Sequence, residues 1–252
     1  MANHPDDRGY EKAAHLYDLF DRKPNVAFFA HHAAPAGRML DVGAGTGRIA
    51  LPLARRGVHV VCVEPSPAMR RVFREKLDRE PEMAARIELL AGEASTFDVG
   101  RTFPVAFLSG VFDHLLDDGE RIAALANVGR HLEPRGRLVF DVFLGLMKDS
   151  PLSPAGRVAM GDQEVRRLVG GRLLPGDKKE TTLVFEVYER GELVDRIEER
   201  SLVGLTDRPG VHRVLAEAGF AVAAEWGGYD LTPYQAGDAL LIVEAVREGE
   251  AG

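Results

Sequence analysis

Apolar residues fall along this chain in two rhythms that change over near residue 145. Between 38 and 143, short continuous apolar runs, "RMLDVG" (38–43), "VHVVCVE" (58–64), "RIELLAGE" (86–93), "PVAFLSG" (104–110) and "GRLVFDVF" (136–143), alternate with segments of helical spacing. Strands apolar on both faces, separated by helices, predict a parallel sheet covered on both sides. Helices are expected over 46–56, closed by Gly57, over 67–79, and over 118–132. Ser66-Pro67 supplies an N-cap and a first helical position for the second of these, and Pro81 ends it. In the third, Ile122, Leu125, Val128 and Leu132 share one side, and "EPRG" (133–136) ends it. Pro52 sits awkwardly inside the first: it removes a hydrogen bond, so that helix must kink or begin late. Ahead of the first strand, Leu16, Phe20, Val26 and Phe29 have helical spacing over 8–32, with a break at Pro24.

Beyond 145 the rhythm becomes period two. Segments 164–174, 181–189 and 192–205 read as strands; in the second, Leu183, Phe185 and Val187 alternate with Thr182, Glu186 and Tyr188. Arg190-Gly191 makes a tight connection, which predicts an antiparallel meander at about 150–205. A helix over 209–218 and strands over 221–229 and 239–248 complete the chain. The whole reads as a single α/β domain, a doubly wound and mostly parallel sheet with an antiparallel β cap inserted after the fifth strand. The cap arrives where a ligand crevice at the strand ends would need a cover.

Composition narrows the partners. A formal charge of −7 and scattered arginine pairs disfavour nucleic acid. No segment approaches the ~18 apolar residues of a membrane span, and the N-terminus lacks the apolar core of a signal peptide, so a cytoplasmic protein is expected. Cys62, the lone cysteine, lies in an apolar strand and reads as a core residue rather than a nucleophile. No disulfide within the chain and no metal cluster is expected.

The chemistry concentrates in "LDVGAGTGR" (40–48). A glycine turn after a first strand lets backbone N–H groups approach a ligand closely. The dinucleotide fingerprint is G-x-G-x-x-G; here the spacing is G-x-G-x-G, and Asp41 before it suits a cation better than a pyrophosphate. Together with "CVEPSPAM" (62–69) and "LLAGEASTF" (89–97), this turn resembles the first three motifs of the class I S-adenosylmethionine-dependent methyltransferases, a likeness covering at least 38–143. The resemblance implies a Rossmann-like, seven-stranded sheet and S-adenosyl-L-methionine as cofactor. It also implies residue roles. Asp41 and the turn Gly43, Ala44, Gly45 and Gly47 would hold the methionine part, and Glu64 would accept from both ribose hydroxyls. Pro65 and Met69 would pack near the adenine, with Glu93 and the backbone of Ala94 at its amino group. Ser109 and Gly110 would line the crevice near the sulfonium.

Methyl transfer from a sulfonium needs alignment and exclusion of water, and a base only where the acceptor must lose a proton. "SGVFDHLLDDGER" (109–121) resembles the aromatic-polar-His-Leu segment that small-molecule members carry after the fourth strand, which makes His114, with Asp113 beside it, the candidate base. Tyr17-Asp18 resembles the "YD" of a leading helix that folds over the cofactor, with the Tyr17 hydroxyl near the transferred methyl. Asp141, Tyr188, Tyr229 and Tyr234 are candidates for the acceptor wall. The segment after the fourth strand lacks the N-P-P-[YF] with which amino-methylating DNA enzymes hold a flipped base. The expected partner is therefore a small metabolite methylated on N or O, an amino sugar or secondary metabolite among the options. A protein acceptor, a cofactor-binding protein without transfer, and a homodimer stay open.

Overall fold

The computed structural model describes residues 10–20 and 25–248. The elements, in chain order, are α1 (Tyr17–Phe20), α2 (Asn25–Ala33), β1 (Arg38–Val42), α3 (Ala50–Arg55), β2 (His59–Glu64), α4 (Pro67–Arg79), α5 (Pro81–Ala84), β3 (Ile87–Ala91) and β4 (Phe103–Leu108). Then follow α6 (Asp118–Arg130), β5 (Leu132–Val142), β6 (Ser150–Met160), β7 (Gln163–Leu174), β8 (Lys178–Glu189), β9 (Glu192–Gly204), α7 (Arg208–Glu217), β10 (Phe220–Trp226) and β11 (Leu241–Arg247). Seven strands form one sheet in the order β10-β11-β5-β4-β1-β2-β3, parallel except where β11 runs against both its neighbours. The remaining four form an antiparallel sheet in the order β6-β7-β8-β9.

Strand parity divides the large sheet into two cores. Leu40 and Val42 of β1, Leu108 of β4 and Phe140 of β5 face Leu125 and Val128 of α6 and Val211 of α7. Met39, Phe107 and Val139 face the other way, onto Phe28 and Phe29 of α2, Leu53 of α3 and Phe73 of α4. Asp41 and Asp141 occupy the same parity as this second set at the carboxyl ends of β1 and β5, so both carboxylates are buried. Cys62 is buried too, and burial pushes its thiol well above the ordinary value. Among the described residues, no helix is long and apolar enough to cross a membrane.

Local chemistry sets the element ends. The Ser66 hydroxyl accepts from Met69 N at 3.1 Å and starts α4 with Pro67 at its first position, as expected. Helix α3 begins late, at Ala50; Pro52 then lies in the first turn, where a missing N–H leaves no helical bond unfilled. Three expectations change. "EPRG" does not end a helix, because α6 stops at Arg130 and these residues lie within β5, with Arg135 at a φ of 61°. The antiparallel sheet has four strands, the unexpected one being the edge strand β6. The helical run expected over 8–32, broken in two at Pro24, is in its first part only a turn at Ala14–Leu16 and the four-residue α1, with α2 as its second part; residues 8–9 and Pro24 lie outside the described residues.

The antiparallel sheet has two unlike faces. Val165, Phe185 and Ile197 pack against Ala13, Leu16 and Phe20 of the N-terminal segment. The opposite face carries a ladder of alternating charge, Arg166 beside Glu186 beside Arg196 in register.

Candidate active site

The glycine turn leaves β1 and is tied at once to the end of β2: Gly43 N and Ala44 N both donate to Val63 O, at 2.7 and 3.2 Å. Gly43, Gly45 and Gly47 all have positive φ, at 75°, 57° and 80°. They differ in what a side chain would meet. A Cβ at Gly43 would lie 2.2 Å from Val111 and one at Gly47 2.2 Å from the Phe73 ring, whereas one at Gly45 would enter open space. The outer glycines allow close packing, and the middle one opens the cradle.

Glu64 ends β2 beneath that cradle and is 5% exposed. Its Oε2 accepts from Gly45 N and its Oε1 from Ser66 N, both at 2.8 Å. Burial pushes its carboxyl up, opposed by those two hydrogen bonds and by Arg70. Asp41 is more deeply placed. Burial raises its carboxyl to about 7, with Arg48 opposing and Glu64 adding to the rise, and its Oδ2 has no hydrogen-bond partner. An unpartnered buried carboxylate oxygen below the turn and an open glycine above it fit a ligand with a positively charged end.

A cavity of about 380 Å³ opens at the carboxyl ends of β1, β2 and β4, within the range of small-molecule sites. It brings together Tyr17, Gly43, Gly45, Glu64, Pro65, Met69, Glu93, Ala94, Ser109, Gly110 and His114. Sequence reasoning missed Tyr10, Val42, Ser66, Ser95, Val111, Leu115, Glu120 and Leu202, which also line it. Of these, Val42, Ser66, Ser95, Val111 and Leu115 each adjoin a residue that the motifs did mark.

Other expected site residues lie elsewhere. Ala44 and Gly47 support the turn from the α2–α4 side, the first within that core and the second against Phe73. Asp113 is buried beside His114 but turned away, its Oδ2 accepting from Phe143 N at 3.3 Å. Asp141 stands behind the cavity wall. It accepts from Ser109 Oγ at 2.9 Å, from Gly110 N at 2.5 Å and from Tyr229 OH at 2.7 Å, and so braces the two cavity residues that end β4. Burial and Asp141 push the Tyr229 phenol upward. Tyr188 lies on the charged face of the cap, its hydroxyl bonded to Glu186 and its ring under Arg166. Tyr234 is in the loop before β11, with Arg208 over its ring. Neither lines the cavity: strand parity turns Tyr188 to the charged face of the cap, and Tyr234 packs against the edge of the core that faces α6 and α7. Among the described residues, no group of His, Cys, Asp and Glu could hold a metal.

Residues 39–136 match the model of the methyltransferase domain. An uncharacterized methyltransferase of Bacillus thuringiensis is 29% identical over 142 residues, which are 52% of this chain and 64% of that relative; the match thus spans a little under two thirds of the relative's length. The CcbJ methyltransferase of Streptomyces caelestis superposes with a TM-score of 0.77 at 21% identity, over 97% of this chain and 98% of that one. CalS10, an amino pentose methyltransferase of Micromonospora echinaspora solved with S-adenosylmethionine bound, superposes at 0.67 and 25% identity, over 98% of this chain and 92% of its own. Fold, motif order and the cradle agree with these likenesses: residues 39–136 resemble a methyltransferase domain, and the whole chain shares the fold of S-adenosylmethionine-dependent methyltransferases. The open backbone approach at Gly45 and the Glu64 carboxylate at the end of β2 would suit S-adenosylmethionine.

Proposed function

We propose that this chain methylates an amine or hydroxyl of a small metabolite held between the end of β4 and the antiparallel cap, with an amino sugar as the favoured acceptor class. The observation that carries the reading is His114. An imidazole lines the same cavity as Glu64 and Gly45, alongside Gly110, with Leu202 of β9 also in the wall. The amino pentose methyltransferase that superposes over 98% of this chain supports an amine.

Bound S-adenosylmethionine supplies an electrophilic methyl group with a neutral thioether as leaving group. The work left to the protein is alignment and the acceptor's proton. A protonated amine has no lone pair to attack with, so a base must first take its proton; His114 is placed for that role. Ser109 and Gly110, braced from behind by Asp141, fix the wall against which the acceptor is aligned. The roof formed by the N-terminal segment and β9 excludes water.

The test is release of S-adenosylhomocysteine by the purified chain across a panel of amino sugars, simple amines and small alcohols. Product should form only with an acceptor present. His114→Asn should lower kcat about 100-fold with cofactor affinity retained, the usual scale for a lost general base. Tight cofactor binding with no product from any amine or hydroxyl acceptor would overturn the reading.

A further inference from the structure

We propose that Asp18 and Glu199 are positioning residues that hold Tyr10 and Tyr17 over the cofactor crevice and thereby set how long S-adenosylmethionine stays bound. The proposal rests on the cofactor part of the reading above and needs no acceptor.

Residues 10–20 cannot hold their own shape. The helical pieces within them are a turn of three residues, Ala14–Leu16, and the four-residue α1. Both are far below the length at which a helix persists unaided, so tertiary contacts must fix them. What they carry is a pair of rings, Tyr10 and Tyr17, packed edge to face at 4.8 Å and both lining the cavity. Tyr10 and Tyr17 also pack with Ala14 against Ala68 and Met69 of α4.

Two polar anchors pin this segment from opposite sides. Below, the Asp18 carboxylate accepts from Thr46 Oγ1 at 2.7 Å and pairs with Lys76 Nζ at 2.6 Å, while Lys76 also donates to Thr46 O at 2.8 Å. Asp18, Thr46 and Lys76 thus form a closed triad that ties α1 to the glycine turn and to α4. Above, the buried Glu199 of β9 accepts from the backbone N–H groups of Lys12 and Ala13, the second at 2.7 Å. These are N–H groups ahead of the Ala14–Leu16 turn, which a carboxylate stabilises strongly. The cap sheet and the glycine turn therefore grip the same eleven described residues, 10–20, and the cofactor crevice lies under the tyrosines that those residues carry.

A ligand beneath this segment leaves when the grip loosens. Asp18 is the accessible anchor, its side chain 35% exposed and that of Lys76 24%, whereas Glu199 is buried. Through Glu199, the cap that roofs the proposed acceptor space also controls the cofactor's exit.

The test follows release of radiolabelled S-adenosylmethionine from the full chain, chased with excess unlabelled S-adenosylhomocysteine. Asp18→Asn and Lys76→Met should each speed release about tenfold, the scale of one lost charge-assisted hydrogen bond. The double variant should release no faster than the quicker single, because both break one triad. Glu199→Gln should also speed release, and association should not slow in any of them. Glu80→Gln, which removes a surface ion pair with Arg55 on the far side of α3, should match wild type. Thr46→Val serves as a second probe of the triad should Asp18→Asn fold poorly. Release at the wild-type rate from variants that keep their melting temperature would overturn the proposal. So would release that tracks lost stability alone, shared by Glu80→Gln. A wild-type chain that bound no S-adenosylmethionine would overturn it together with the cofactor reading, whereas a chain that binds cofactor but finds no acceptor would leave it standing.

Discussion

Asp41 is held in a costly place. Its carboxyl is raised from the ordinary 3.8 to about 7, chiefly by burial, so the folded chain binds a proton at this site more tightly than the unfolded chain does. The stability it contributes is full below about pH 4 and is lost as pH rises toward 7, to a total of about 4 kcal/mol. Asp41→Asn should therefore raise the melting temperature at pH 8 and leave it nearly unchanged at pH 4, as read by thermal melts at the two pH values. The same substitution removes the negative charge beneath the glycine turn and should weaken cofactor binding at pH 8 by at least about tenfold. A variant less stable than wild type at pH 8 would contradict this account. Sequence reasoning marked Asp41 from its place before the glycines, but the carboxylate is buried behind the turn and does not line the cavity. That distinction depends on which way a strand end twists, which the residue order does not record.

Elements of this chain differ in how openly they announce themselves. The parallel strands are apolar on both faces and the Ser66-Pro67 pair is an explicit start signal, so β1 to β5 and α4 were readable. Strand β6 was not: "SPLSPAGRVAM" holds two prolines, does not alternate, and is exposed along almost its whole length, as an edge strand that avoids pairing with other chains tends to be. The union of α2 with β11 was equally hidden, since it joins residues far apart in sequence. His32 Nδ1 pairs with Glu244 Oε2 at 2.9 Å, and Arg137 donates to His32 O at 3.1 Å. His32, and then Arg137, hold the Glu244 carboxyl below its ordinary 4.5, against the opposing effect of burial. A depressed carboxylate contributes stability above its unfolded value and loses it as pH falls through the folded one. Glu244→Gln should thus cost about 1 kcal/mol near pH 7, with wild type and variant converging below pH 4. Thermal melts across that range check it, and a difference independent of pH would contradict it.

At the scale of the whole molecule, the strand order makes the site. β1 and β4 are neighbours at the point where the chain reverses direction across the sheet, and a crevice opens there by topology. The motif residues at the ends of β1, β2 and β3 converge on it, and so their gathering at one cavity was legible from sequence: of thirteen residues that the resemblance assigns to the cofactor, ten line the cavity, and Asp41, Ala44 and Gly47 stand back from it. The proposed acceptor half depends on long-range contacts. Leu202 meets the cavity because the end of β9 lies beside residues 112–114, and Asp141 and Tyr229 brace its wall instead of forming it. No local pattern carries that information. The claim on which everything above depends is that this crevice takes S-adenosylmethionine, with Glu64 holding its ribose. Isothermal titration of the full chain with S-adenosylhomocysteine measures it most directly. The account predicts one site per chain and its loss in Glu64→Ala with the fold intact; absence of heat from the wild-type chain, or undiminished binding by that variant, would contradict it.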